Sequence, residues 1–134
     1  MPESIKTSVK LPAKQREIYE AWLDSEKHSA FTGSPAKIER KVGSEFTAWD
    51  GYISGKIEAM YRFYKIIMTW RTTDFPEDAE DSRIEVLLDP IPEGTKVTIV
   101  HENIPDGDSK KYRKGWKDYY FNPMKEYFAP KENE

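Results

Sequence analysis

Cysteine is absent from the 134 residues, which excludes disulfides and thiol chemistry. Histidine is nearly so: His28 and His101 are the whole supply, too few for zinc-type ligand spacing. No apolar run approaches the roughly 20 residues of a membrane span, and the start, MPESIKTSVKL, lacks the apolar core of a signal peptide. A soluble, cytoplasmic protein is expected. The chain has no acidic loop with calcium-ligand spacing and no Gly-rich phosphate loop, so neither a metal nor a cofactor is expected. With 21 basic against 24 acidic side chains and a net charge of −3, the basic excess that nucleic acid demands is missing too. The length suits a single domain over residues 1–134.

What is present is a strand-rich middle between helical ends. Residues 4–11 alternate, with Ile5, Thr7 and Val9 on one side, as in a half-buried strand. Pro12 suits a helix start, and residues 13–24 place Ile18, Ala21 and Trp22 on one face. Ser25 is a candidate N-cap for a short second helix over 26–31, which Gly33 and Pro35 end. The period then drops to two. Residues 36–42, 45–49 and 52–60 read as strands, with Asp50-Gly51 as a two-residue hairpin turn. Gly55 inside its strand implies a bulge or a close backbone approach. Residues 63–72 are assigned with Tyr64, Ile66, Met68 and Trp70 inward. Residues 74–81 hold five acidic residues and no basic one, an exposed loop. Strands over 82–88 and 95–103 form a further hairpin.

The chain closes on residues 108–129, a helix capped by Asp106 or Asp108. Tyr112, Trp116, Tyr119, Pro123 and Tyr127 recur at helical spacing, while Lys110, Arg113, Lys114 and Lys117 take the opposite face. Pro123 lacks the amide that would bond Tyr119, so the helix should be bent near 121–123. The order β-α-α-β-β-β-β-β-β-α, with short turns, describes an α+β architecture in which a curved antiparallel sheet grips the last helix.

Single reactive side chains suggest no active site. His101, in phase with Val97 and Ile99, points inward, as a general base or as a core histidine held by one hydrogen bond. His28 is placed on a short surface helix. The aromatic set is richer than plain filler requires. It describes either a dense core or a cavity between sheet and helix. The cavity would be lined by Trp22, Phe31, Phe46, Tyr64, Met68, Trp70, Val86, Ile99, His101, Trp116, Tyr119, Tyr120 and Met124. The basic face of the last helix is either solvated or a dock for an acidic partner.

Three stretches carry a resemblance. Gly115-Trp116, Tyr119-Tyr120-Phe121, Met124-Lys125 and Phe128 form one. Gly43 to Phe46 with Asp50-Gly51, Ser54-Gly55 and Trp70-Arg71 ahead of Pro76 form another, and Trp22-Leu23 with Ala30-Phe31-Thr32-Gly33 the third. Together they resemble the activator of heat-shock protein 90 ATPase homologue family, within the START-like (SRPBCC) helix-grip superfamily. The resemblance implies the C-terminal domain of a co-chaperone whose larger N-terminal domain has no counterpart here. The function expected first is a non-catalytic START-like domain that holds an apolar small molecule or lipid in its cavity. The alternatives are a module that binds heat-shock protein 90 through Lys110, Arg113, Lys114 and Lys117, and a cyclase-like enzyme.

Overall fold

The computed structural model describes residues 2–129. Six strands make one antiparallel sheet, β1 (Glu3–Leu11), β2 (Glu45–Ala48), β3 (Ile53–Tyr61), β4 (Lys65–Thr72), β5 (Ser82–Ile91) and β6 (Gly94–Ile104), in the order β1-β6-β5-β4-β3-β2. Between β1 and β2 come two short helices, α1 (Gln15–Trp22) and α2 (Ser25–Thr32). After β6 the chain closes with α3 (Ser109–Trp116), a π-helical turn (Lys117–Phe121) and α4 (Asn122–Tyr127). Strict alternation decides which face of the sheet is covered. Ile66, Met68 and Trp70 of β4, Ile84, Val86 and Leu88 of β5, and Val97, Ile99 and His101 of β6 are all buried. The closing helix lies over that face.

Several local expectations change for reasons that need distant residues. Residues 36–42 do not form a strand; their one ladder contact is a bridge from Lys37 to Thr47. Serine side chains of α2 take over the backbone groups instead. Ser25 Oγ accepts from the Ile38 amide at 2.8 Å and donates to its carbonyl at 3.0 Å, and Ser29 Oγ accepts from the Ala36 amide at 2.8 Å. Ser25 is therefore inside the helix, and Asp24 is the N-cap, accepting from Lys27 N at 3.0 Å. The last helix likewise borrows its cap. The Asp108 side chain makes no capping bond, and Glu3 Oε1 of β1 accepts from Ser109 N at 3.0 Å.

The β2–β3 connection is a four-residue turn rather than a two-residue one, since Ala48 pairs with Ile53. Trp49, Asp50 and Gly51 all take positive φ there, 53°, 55° and 88°. Tyr64 lies in the turn before β4, where its amide bonds Tyr61 O at 2.8 Å, and is 52% exposed. Its inward assignment fails because the strand, and with it the alternation, starts one residue later. The acidic segment 74–81 is pinned by Arg71, which donates to Ala79 O, Pro76 O and the Asp81 carboxylate, with Phe75 buried against Trp70.

Gly55 is required by close approach. A Cβ there would overlap the Thr69 carbonyl oxygen and sit 2.9 Å from the Phe46 ring, while the register shift itself falls further on, between Ile57 and Ala59. Replacing Gly55 by Ala should therefore push β3 off β4 and cost about 1–3 kcal/mol, the usual range for overpacking. Urea midpoints of variant and parent measure this; equal midpoints would show that the strands separate freely.

Candidate functional site

The helix expected to carry its aromatic stripe through Tyr119 and Pro123 carries it through different residues. Pro123 cannot donate to Tyr119 O, and the ladder widens one turn ahead of it, with the Asn122 amide reaching back five residues to Lys117 O. A π-helical turn moves every later side chain round by about one position. The buried series is accordingly Tyr112, Trp116, Tyr120 and Met124, with Phe121 beside it, and Tyr119 is 58% exposed.

Each polar tip on that series has a partner on another element. Tyr112 Oη bonds Thr72 Oγ1 of β4 at 2.7 Å. Trp116 Nε1 donates to His101 Nδ1 of β6 at 3.1 Å. Tyr120 Oη meets His28 Nε2 of α2 at 2.8 Å. The partners dictate both histidine tautomers, because an indole only donates and a carbonyl only accepts. His101 Nδ1 is an acceptor, so Nε2 carries the proton and donates to Ser82 Oγ at 2.8 Å, and the Ser82 hydroxyl donates in turn to Trp70 O at 2.5 Å. In His28 the roles invert: Nδ1 donates to Trp22 O at 2.9 Å and Nε2 accepts from Tyr120.

His28 is thus not a surface residue; it is 1% exposed, enclosed by Trp22, Phe31 and Tyr120. Burial pushes the His28 imidazole down to about 4 and the His101 imidazole down to about 3, and raises the Tyr120 phenol. Two buried, neutral histidines with both nitrogens engaged have no free site to take a substrate proton.

Of the residues expected to line an interior cavity, all but Tyr64 and Tyr119 are buried. Trp22, Trp70, His101, Trp116 and Tyr120 are in mutual ring contact, for example Trp70 to Trp116 at 5.3 Å and Trp22 to Tyr120 at 5.1 Å. These rings occupy the space between sheet and helix. Trp70, Trp116, Tyr119 and Tyr120 also reach an open groove of about 440 Å³ between the closing helix and the β2–β3 turn. Its other walls come from residues outside the expected set, chiefly Trp49, Tyr52, Lys111, Gly115 and Asp118. Their sequence signals were the turn beside Trp49 and the glycine inside the helix. One end is clasped by Asp74, which accepts from Tyr52 Oη at 2.6 Å and Lys111 Nζ at 2.7 Å. Those bonds hold the Asp74 carboxyl low, while burial, with the bond to Asp74, raises the Tyr52 phenol to about 12.

Lys110, Arg113, Lys114 and Lys117 are exposed, and with Lys125 they line a second groove of about 420 Å³ against Thr7, Ser8 and Val9 of β1. Arg113 is partly committed, donating to Lys6 O at 3.2 Å. Among the described residues no group of three metal-ligating side chains is assembled, and no helix is long and apolar enough to cross a membrane.

A six-stranded antiparallel sheet closed by a C-terminal helix is the helix-grip, START-like fold. An HSP90 activator from Plasmodium falciparum shares it at TM-score 0.84 and 22% identity, covering 92% of this chain and 94% of that one. A protein from Chromobacterium violaceum shares it at TM-score 0.77 and 23% identity, covering 97% and 100%. Within that fold, residues 12–129 match the family described as Activator of Hsp90 ATPase homolog 1-like protein, and the chain belongs to it. The human activator of 90 kDa heat shock protein ATPase homolog 1 is 30% identical over 113 residues, 84% of this chain and 33% of that protein. A Dictyostelium discoideum homolog is 27% identical over 128 residues. The chain spans about one third of the length of these curated relatives.

Two outcomes follow from the buried bonds. Trp116→Ala should cost about 3–5 kcal/mol in denaturant melts, as for a large aromatic removed from packed core; a loss under 1 kcal/mol would take Trp116 out of the core. The second concerns acid. Both histidines titrate near 6.5 when unfolded and far lower when folded, so the unfolded chain binds protons first as pH falls. The stability they contribute is complete above about pH 6.5 and is lost downward towards 4 and 3, at about 2 kcal/mol per histidine between pH 7 and pH 5. Melts at pH 7, 6 and 5 check this, and a flat profile would contradict it.

Proposed function

We propose that this chain is a non-catalytic START-like module that docks on heat-shock protein 90 through the basic face of its closing helix. The observation that carries the reading is the state of those cations. Lys110, Arg113, Lys114, Lys117 and Lys125 surround one groove and enter no ion pair among the described residues. Lys111, on the same helix, is by contrast neutralised by Asp74. A cation in the first turn of a helix opposes its dipole, so the fold gains no dipole stabilisation from Lys110 standing there. An extended acidic segment would supply the missing charge. Family membership and the curated relatives, which are named as activators of the 90 kDa heat shock protein ATPase, support heat-shock protein 90 as that partner.

Binding of the chain to heat-shock protein 90 from the same cell should weaken steeply with added salt. Replacing Lys110, Arg113, Lys114 and Lys117 together by Gln should weaken it at least tenfold, mainly through the association rate. These side chains are exposed, so melting of the variant should stay within a degree or two of the parent. Titration calorimetry and stopped-flow mixing measure both quantities. Equal affinity of variant and parent would sink the proposal.

A further inference from the structure

We propose that the occupant of the basic groove is an extended acidic segment of another protein that adds to the free edge of β1 as a further strand. The inference rests on the docking reading above and supplies the backbone contacts through which that dock is made.

β1 ends the sheet and is paired on one side only, with β6. In an antiparallel ladder alternate residues turn both backbone groups to the same side, and two observations set the phase. Arg113 donates to Lys6 O from the closing helix at 3.2 Å, so Lys6 turns its groups away from β6. Across the sheet, Pro90 of β5 has no N–H and pairs with Thr95, which leaves Thr95, Val97 and Ile99 to bond Leu11, Val9 and Thr7 of β1. Lys6, Ser8 and Lys10 therefore present N–H and C=O at the edge. The closing helix occupies the near end of that edge, through the bonds of Ser109 to Glu3 and of Arg113 to Lys6 O. Further along, the outward backbone groups of Ser8 and Lys10 have no partner among the described residues. An open strand edge is a template for another strand.

The basic groove runs along this open stretch. Thr7, Ser8 and Val9 form one wall, and the five helix cations with Phe121 form the other. No carboxylate lines it. Charge therefore selects the guest. A second copy of this chain would set Lys6, Lys10 and the helix cations against their own kind, whereas an acidic strand neutralises them. The pleat also dictates the guest's pattern, because successive side chains of a strand alternate between two faces. Guest residues opposite Thr7 and Val9 share the face on which Val9 is buried, towards the closing helix. Those alternate positions are the ones that take Asp or Glu.

The blocked peptide acetyl-Glu-Val-Glu-Val-Glu-amide is the probe. In NMR titrations it should shift the Ser8 and Lys10 amides saturably and bind more weakly as salt is added. Ser8→Pro removes an outward donor that β6 does not use, a change an edge strand tolerates, so it should weaken the peptide about tenfold while the fold still melts cooperatively. A second measurement leaves the protein unaltered. Two further peptides carry backbone N-methyl groups, one on its glutamates and the other on its valines, with charge unchanged. Because an added strand turns only alternate amides to its neighbour, one methylated peptide should bind about tenfold more weakly than the other. Equal binding of the two would overturn strand addition, as would shifts that spare the Ser8 and Lys10 amides. Neither result touches the docking reading, which turns on whether the chaperone responds to loss of the helix cations, so the two proposals fail separately.

Discussion

The structure depends on how the closing helix is fastened to everything beneath it. Apolar burial alone would let an amphipathic helix slide or turn on a flat sheet, since the hydrophobic effect has no direction. Hydrogen bonds inside a low-dielectric core do have direction, and leaving one unmade is costly. Tyr112, Trp116 and Tyr120 each end in one polar atom, and those atoms find Thr72, His101 and His28 on three different elements. A slip of one residue would break all three bonds together. The aromatic stripe thus sets position as well as supplying area.

This fastening also decides where the molecule can act. Interlocked rings lie beneath the helix, and two grooves flank it, one basic and one aromatic. They share Lys114, which lines both.

The histidines show where reading one residue at a time breaks down. His101 could be followed to the interior by alternation with Val97 and Ile99, because a strand fixes the side of each residue. His28 could not. Its helix has no clear apolar stripe, and its partner Tyr120 lies 92 residues away. Tyr119 and Tyr120 posed the same difficulty. The sequence places both at the cavity, and the structure leaves Tyr120 buried and Tyr119 exposed, with a π-helical turn ahead of Pro123. The proline was visible as a disturbance in the ladder; the direction in which the helix absorbed it was not.

The amino-acid sequence by itself determined the strands with strict alternation, the helices before β2 and the helix after β6, because these rest on neighbours along the chain. Which residues share a face depends on a period of two or 3.6, and that period is local. Tertiary structure alone decided that residues 36–42 give their backbone bonds to Ser25 and Ser29 instead of to a strand. It also decided that Glu3 caps the final helix, that the two histidines adopt opposite tautomers, and that Trp49 and Gly115 face one groove. Each of these is a choice of hydrogen-bond partner or of empty space across the fold, and such choices exist only once distant segments have been brought within about 3 Å of each other.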